Sequence, residues 1–424
     1  MVDNPSHNSD ASRRRFLKTA SGAGAVLLAG CSGGDGNGDG DGNGDGGGGS
    51  TAQQDDNVLI GHLGPFSGGI GWAGEDTRKG IETAMTDINS AGLLGREVEY
   101  TRQDTEVKPQ SALQGFETLN NSGVTAIVGP ASSTIMNVTQ PAIDAGVVMI
   151  TPFASTSQLD DVHSGYIWRM VSSDSVAPRF QTRYAMDQGW DRIARAYKNA
   201  QGPQSFSHAL EEFFTEAGGE ITTAVKLDPD ADSYNGEIQQ ILDSDPKAVS
   251  MIAGTEVTEL FVKNYRQMGG EHQLLVSDDV ATPDLIERLG DAVEGLIAQS
   301  AGTTDHYDEF AQRFEDVHGE SPGTWPHTAY DSMNVIALAL QNAGEVSRDA
   351  VSENLREIGN PPGTEVTTFS QGKEELEKSK EINYQGAGSN ANFNDKGNVI
   401  SPHTIIQVQD GEWVTLEEIK PEDL

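Results

Sequence analysis

The sequence predicts an α/β protein of two lobes, each a doubly wound parallel sheet with helices on both faces. Three observations carry that expectation. From Val58 onward, short apolar runs bounded by Gly-Pro pairs alternate with amphipathic stretches of helical spacing. The same alternation restarts after a polar stretch at residues 172–175. The ~370 residues that follow a glycine-rich segment are enough for two hydrophobic cores.

Taken in order, residues 58–60 open a buried-type strand that Gly64-Pro65 ends. Ile81, Ala84, Met85 and Ile88 then put one apolar stripe on a helix over residues 75–90 that stops near Gly92. Residues 98–103 read as a strand and 109–121 as a helix. A strand at 124–128 is closed by Gly129-Pro130, a helix at 133–145 carries Pro141, and 147–150 is another strand. The second series runs helix 177–188, strand 193–197, helix 205–217, strand 221–227, helix 234–243, strand 248–253, helix 257–268 and strand 274–277. A short helix from Pro283, helices at 305–318 and 326–343, and a hairpin-like pair around 392–395 and 404–408 complete the reading.

The segment ahead of this body has a different chemistry. Arg13-Arg14-Arg15-Phe16-Leu17-Lys18, a short apolar run and Leu28-Ala29-Gly30-Cys31 form a twin-arginine export signal over residues 1–30. The apolar run is too short to cross a bilayer, which takes ~20 residues. Cys31 is the only cysteine in the chain and follows Leu-Ala-Gly, an arrangement that resembles the lipobox of exported lipoproteins. It is therefore the expected lipid attachment point. Residues 31–56 are expected to form a flexible Gly/Asp tether. The tether contains Asp35-Gly36-Asn37-Gly38-Asp39-Gly40, the opening of a calcium-loop pattern, but Gly46 stands where the closing glutamate is required.

Composition narrows the function. Sixty-five acidic against 28 basic residues give a formal net charge of −37, which excludes nucleic acid as the expected partner, because phosphate binding requires a basic surface. The acidic residues are spread along the chain, so self-repulsion is strong in dilute buffer and screened at molar salt, where the Debye length is ~3 Å. A halophilic setting is expected. A lone cysteine excludes an intramolecular disulfide.

Ligands of open parallel sheets sit at the carboxyl ends of strands, which directs attention to the loops at 64–74, 129–134, 151–157, 198–206, 253–257 and 277–283. Gly69-Ile70-Gly71-Trp72-Ala73-Gly74 is a literal dinucleotide fingerprint. An exported dinucleotide-dependent oxidoreductase is thus one reading, but five residues separate the strand end from the first glycine, and a phosphate-hugging turn is tighter. Ser132-Ser133-Thr134 opens a helix after a strand, where hydroxyls and unpaired amides at the positive helix end suit a carboxylate. The neighbouring strand ends in Thr151-Pro152-Phe153-Ala154-Ser155-Thr156-Ser157, a second hydroxyl-rich turn on the same sheet edge. In the second lobe, Ser277-Asp278-Asp279 ends a strand and places a carboxylate where an ammonium group would be held. Together these make a recognition pair for a zwitterion. No nucleophile elbow, zincin motif or closely spaced histidine pair occurs, so no catalytic residue, metal site or cofactor is expected.

Gly64-Pro65-Phe66-Ser67-Gly68, Asp87-Ile88-Asn89, Val128-Gly129-Pro130-Ala131-Ser132-Ser133, Thr151-Pro152-Phe153-Ala154-Ser155 and Asp395-Lys396-Gly397-Asn398 occur in an order that resembles the leucine/isoleucine/valine-binding protein family. These are extracytoplasmic receptors of ABC importers. The resemblance implies a periplasmic-binding-protein type I fold with a three-crossover hinge. It implies lobes of residues 57–174 plus 303–400 and 175–302 plus 401–424. It further implies that Ser132, beside Ser133, grips the ligand's α-carboxylate, that Phe153 and Ala154 offer backbone, and that Ser155 offers a hydroxyl. Asp278 would face the α-ammonium, Phe206 and Trp72 would be aromatic neighbours, and Thr255 or Glu256 would add a contact from the second lobe. Asp278 is one carbon shorter than the usual glutamate, and Ala131 stands at one position of a disulfide found in some members. The expected protein is a monomeric, membrane-anchored, cell-surface lipoprotein. It would pass a branched-chain or similar amino acid to a permease and its ATPase. Urea, a short amide or an aromatic acid are the alternative ligands.

Overall fold

A computed structural model describes residues 57–162 and 164–423, with the side chains of Gln201, Asp278 and Glu422 left aside. The expected export signal, Cys31 and the expected Gly/Asp tether lie outside the described residues. The chain builds one parallel and one mainly parallel sheet, each flanked by helices on both faces.

The first sheet holds β1 (Val58–Gly64), β2 (Val98–Asp104), β3 (Ala126–Val128), β4 (Val148–Thr151) and β5 (Ile167–Arg169), all parallel in the order β2-β1-β3-β4-β5. Its connections are α1 (Gly71–Ala91), α2 (Pro109–Asn121) and α3 (Ser132–Asp144). Side chains alternate across a strand, so Val58 and Ile60 face one way with Ile81 and Ile88 of α1. Leu63, Ile127 and Met149 face the other way, against Phe116 of α2 and Val138 of α3. The chain returns to this half late, with α9 (Tyr307–His318), α10 (Pro326–Ala343), α11 (Arg348–Gly359), α12 (Phe369–Glu377) and the small parallel pair β11 (Thr364–Val366) and β12 (Ile382–Tyr384). The α10 helix is buried almost all round and packs along α1. Gly80 permits that approach: a Cβ there would stand 2.0 Å from the Pro326 carbonyl oxygen.

The second sheet comprises β6 (Arg192–Lys198), β7 (Glu220–Leu227), β8 (Ala248–Ile252), β9 (Gln273–Ser277), β10 (Ile297–Ala301), β13 (His403–Gln409) and β14 (Glu412–Ile419). Their order is β14-β13-β10-β9-β8-β6-β7, and only β13 runs against its neighbours. One face packs on α6 (Asn235–Asp243), α7 (Thr255–Gln267) and α8 (Pro283–Leu289), and the other on α4 (Ala177–Asp187) and α5 (Gln201–Glu216). The chain passes between the sheets three times, after β5, after β10 and before β13.

Several elements differ from the sequence expectation. The α1 helix begins at Gly71 rather than residue 75, because Gly74 fits beneath the Pro65 carbonyl, where a Cβ would meet oxygen at 2.3 Å. The expected pairing of 392–395 with 404–408 is replaced by β13 with β14 across Asp410-Gly411, a turn pair in which both residues have positive φ. Residues 392–395 instead form a loop. β5, β10, α11, α12 and the β11–β12 pair were not expected.

Candidate binding cleft

The switch in strand order of the first sheet falls between β1 and β3, and that of the second between β6 and β8. Loops leaving strands on either side of such a point diverge and open a crevice. The crevices of the two sheets join in one cleft of about 290 Å³.

From the first half, Ser132, Phe153, Ser155 and Trp325 line it. Gly129 makes the β3–α3 turn possible: its φ is +112°, and a Cβ would meet the Leu63 carbonyl oxygen at 2.0 Å. Ala131 is the N-cap of α3, and the first amide bonded back into the chain is that of Thr134, to the Ala131 carbonyl at 3.0 Å. The Ser132 and Ser133 amides therefore stand at the positive end of the helix. Thr151 joins the two loops, donating to the Pro130 carbonyl at 2.7 Å and accepting from the Ala154 amide at 3.0 Å. The Phe153 and Trp325 rings lie 6.3 Å apart.

From the second half come Gly202, Pro203 and Phe206 of α5, Ile252 at the end of β8, Ser277 at the end of β9, Asp279, and Gln299 of β10. The Ser277 hydroxyl donates to Asp279 at 2.5 Å. Gln299 is buried, and its Oε1 has no hydrogen-bond partner among the described residues. The crossovers add Asp174 and His403.

The charge in the cleft is of one sign. Burial pushes the Asp174 carboxyl up to about 6, against the opposing effects of the Ser155 hydroxyl and the nearby Arg169 guanidinium. Desolvation pushes Asp279 upward as well, although that residue keeps solvent access through the open mouth. His403 stacks on Phe180 with ring centres 3.8 Å apart, and burial holds its imidazole down at about 4. It is neutral at pH 7. No lysine or arginine lines the cleft among the described residues.

A buried polar knot beneath the floor fixes these loops. Arg169, at 1 % exposure, pairs with Asp160 and donates to the carbonyls of Ser155 at 3.0 Å and Thr156 at 2.8 Å. It also donates to Asn398 at 2.5 Å. Asp160 in turn accepts from Ser173 at 3.0 Å, Ser175 at 2.5 Å and the Asn398 amide at 2.7 Å. A charge removed from water needs this many partners. The knot ties the 154–156 loop to two of the crossovers.

Of the residues singled out in the sequence, Ser132, Phe153, Ser155 and Phe206 come together in the cleft wall. Ala154 is fully buried in the core behind it. Ser133 and Trp72 are exposed, Trp72 at 54 %, and neither lines the cleft; nor does Thr255, the first residue of α7. The side chain of Asp278 lies outside the described residues, and its neighbour Asp279 faces the cleft. The Ser155 hydroxyl is engaged by Asp174. Asp174, Gln299, Trp325 and His403 were missed. Asp174 had a signal, since it lies in the polar stretch that divides the two series of elements, but the others are isolated residues brought in by topology.

These features are those of a two-lobed solute receptor, and the similarities to known proteins agree. Over residues 57–412 the chain matches the periplasmic binding protein family, and it belongs to that family. It is 24 % identical over 310 residues to a leucine-, isoleucine-, valine-, threonine- and alanine-binding protein of Pseudomonas aeruginosa, covering 71 % of this chain and 82 % of the relative. Identity is also 24 % over 385 residues, 86 % of this chain and 90 % of the relative, to the substrate-binding protein BasB of a chemotactic signal transduction system in Halobacterium salinarum. Among solved structures, the leucine-binding protein LivK of Thermotoga maritima superposes with a TM-score of 0.72 at 22 % identity, over 87 % of this chain and all of that one. A solute-binding protein of Rhodopseudomonas palustris in complex with benzoate gives 0.68 at 15 % identity, over 86 % and 97 %. The fold is that of the type I periplasmic binding proteins.

Proposed function

We propose that this protein is the extracytoplasmic receptor of an ABC importer and binds an amino acid with an apolar side chain. The observation that carries this reading is the pairing inside one cleft of a hydroxyl-bearing helix N-terminus, at Ser132, with the carboxylates Asp174 and Asp279. A zwitterion satisfies both ends. Its α-carboxylate takes the Ser132 hydroxyl and the free amides, its α-ammonium takes the acidic side and the unpartnered Gln299 oxygen, and its side chain packs among Phe153, Phe206, Ile252 and Trp325. Benzoate or another aromatic acid brings no cation, so it would leave both carboxylates unpaired; urea brings neither charge. Closure of the second half over a ligand seated on the first would exclude water and strengthen each charge-assisted contact. The export signal and Cys31 fit a receptor held by a lipid beside its permease.

The test is calorimetric titration in molar salt with leucine, isoleucine, valine, benzoate, urea and NAD. A branched-chain amino acid is expected to bind with micromolar affinity, about −8 kcal/mol. Heat from benzoate or NAD alone would reject the reading. Ser132→Ala is expected to weaken amino-acid binding by about 1.5–3 kcal/mol, the worth of a hydrogen bond to a charged group.

A further inference from the structure

A second cavity of about 300 Å³, comparable in size to the cleft, opens where the crossovers meet the C-terminal strand. The first half supplies Thr304, Asp305, His306, Gln385, Asn390 and Asn392, and the second supplies Glu418 and Lys420 from the end of β14 and just beyond it. Pro402 lines this cavity while the next residue, His403, lines the cleft. Successive residues of an extended chain point to opposite sides, so one thickness of crossover backbone separates the two spaces.

The lining is chemically unfinished. Gln385 is 6 % exposed, yet its carboxamide makes no hydrogen bond to any described residue. Its backbone amide donates to the Val366 carbonyl at 2.8 Å. The Gln385 carboxamide lines the cavity and is free to bond an occupant through its oxygen or its NH2 group. Asp305, Glu418 and Lys420 form no ion pair among the described residues, and the Asn390 and Asn392 side chains are likewise unbonded there.

We propose that this cavity is a second ligand site, for a small zwitterion, and that its occupant tunes the hinge. The carboxylate of the zwitterion is taken by Lys420, its ammonium by Asp305 or Glu418, and a hydrogen-bonding group by Gln385. Because those groups belong to both halves of the molecule, one bound zwitterion fixes the halves relative to each other. Any effect on the cleft is then reciprocal.

Glycine serves as the probe, since it has both charges and no side chain to fit the apolar cleft. Saturable binding of glycine to the protein in molar salt is expected, and it should weaken at least tenfold in Gln385→Leu. That substitution replaces an unbonded amide by an apolar group of similar length, so its thermal midpoint should be kept. Lys420→Ala, at an exposed position, is a second variant that cannot unfold the core, and it should also weaken glycine binding. Ser132→Ala, in the cleft, should leave it unchanged. A severalfold shift in cleft affinity for leucine at saturating glycine is expected in the wild type and absent in Gln385→Leu. The proposal is overturned if glycine does not bind saturably, if binding survives both cavity substitutions, or if it is lost in Ser132→Ala. The last outcome would place glycine in the cleft and leave the amino-acid reading of the cleft intact. Failure of leucine to bind while glycine behaves as expected would reject the cleft reading alone.

Discussion

Under the proposed function, Asp174 is the cleft residue on which ligand charge and protein charge would meet. In the free protein its carboxyl is raised to about 6, so between its ordinary value of 3.8 and 6 the native state holds a proton that the unfolded chain has lost. The sign follows: the contribution of Asp174 to stability falls as pH rises through that window. Binding runs the other way, because an ammonium is attracted to the ionised form. Amino-acid affinity is expected to increase about tenfold per pH unit up to pH 6 and then level off. Calorimetry in buffers of different ionisation heat should show proton release below pH 6. Asp174→Asn should bind weakly with a flat profile; an unchanged slope would place the titrating group elsewhere.

At the scale of elements, two arrangements govern how the cleft is held. The Ser157 and Ser205 hydroxyls hydrogen-bond to each other. Ser157 follows the β4 loop of the first half and Ser205 lies in α5 of the second. Among the described residues this is the side-chain bond that spans the cleft mouth away from the crossovers. Ser205→Ala is expected to speed ligand release by about threefold to tenfold, the range of one neutral hydrogen bond, without changing the order of preference among ligands. Stopped-flow displacement measures it. The Arg169–Asp160 knot has a larger part: Arg169→Met strands a buried carboxylate and should cost about 3–5 kcal/mol in a denaturant titration, more than Asp160→Asn.

Most of the alternating strands and helices, together with α8, α9, α10 and β13, were readable because their apolar periodicity is strong and their ends carry Gly, Pro or hydroxyl residues. The short and polar strands were not. β5 has three residues, of which one is the buried arginine Arg169; β10 carries Gln299 and Ser300. Neither shows an apolar run. Ser132, Phe153, Ser155 and Phe206 were legible because each sits at a strand end or helix start, while Trp325 and His403 arrive from segments about 120–270 residues away in the chain.

The whole molecule carries a net charge of −37. Repulsion summed over such a surface is long-ranged in dilute buffer and screened within ~3 Å at 1 M salt. The thermal midpoint is therefore expected to rise by roughly ten degrees or more between 0.1 and 2 M potassium chloride, since a 1 kcal/mol gain moves a domain of this size by about 2–4 °C. A midpoint independent of salt, followed by circular dichroism, would dismiss the halophilic reading.

Asn398 completes the Arg169 knot, and β13 and β14 close the second sheet, so both halves wait on residues beyond 390. On the ribosome, the loop that would grip a ligand's carboxylate is made early with its tie to Thr151, but the Asn398 arm of the knot and the last strands of the second sheet follow about 260 residues later. Nascent chains stopped before residue 390 should be open to protease and unable to retain ligand, while the released chain should become resistant in one step. A protein assembled on that schedule is either wholly unfinished or ready to work. For such a chain, export through a twin-arginine route, which accepts cargo that is already folded, would come after assembly rather than during it.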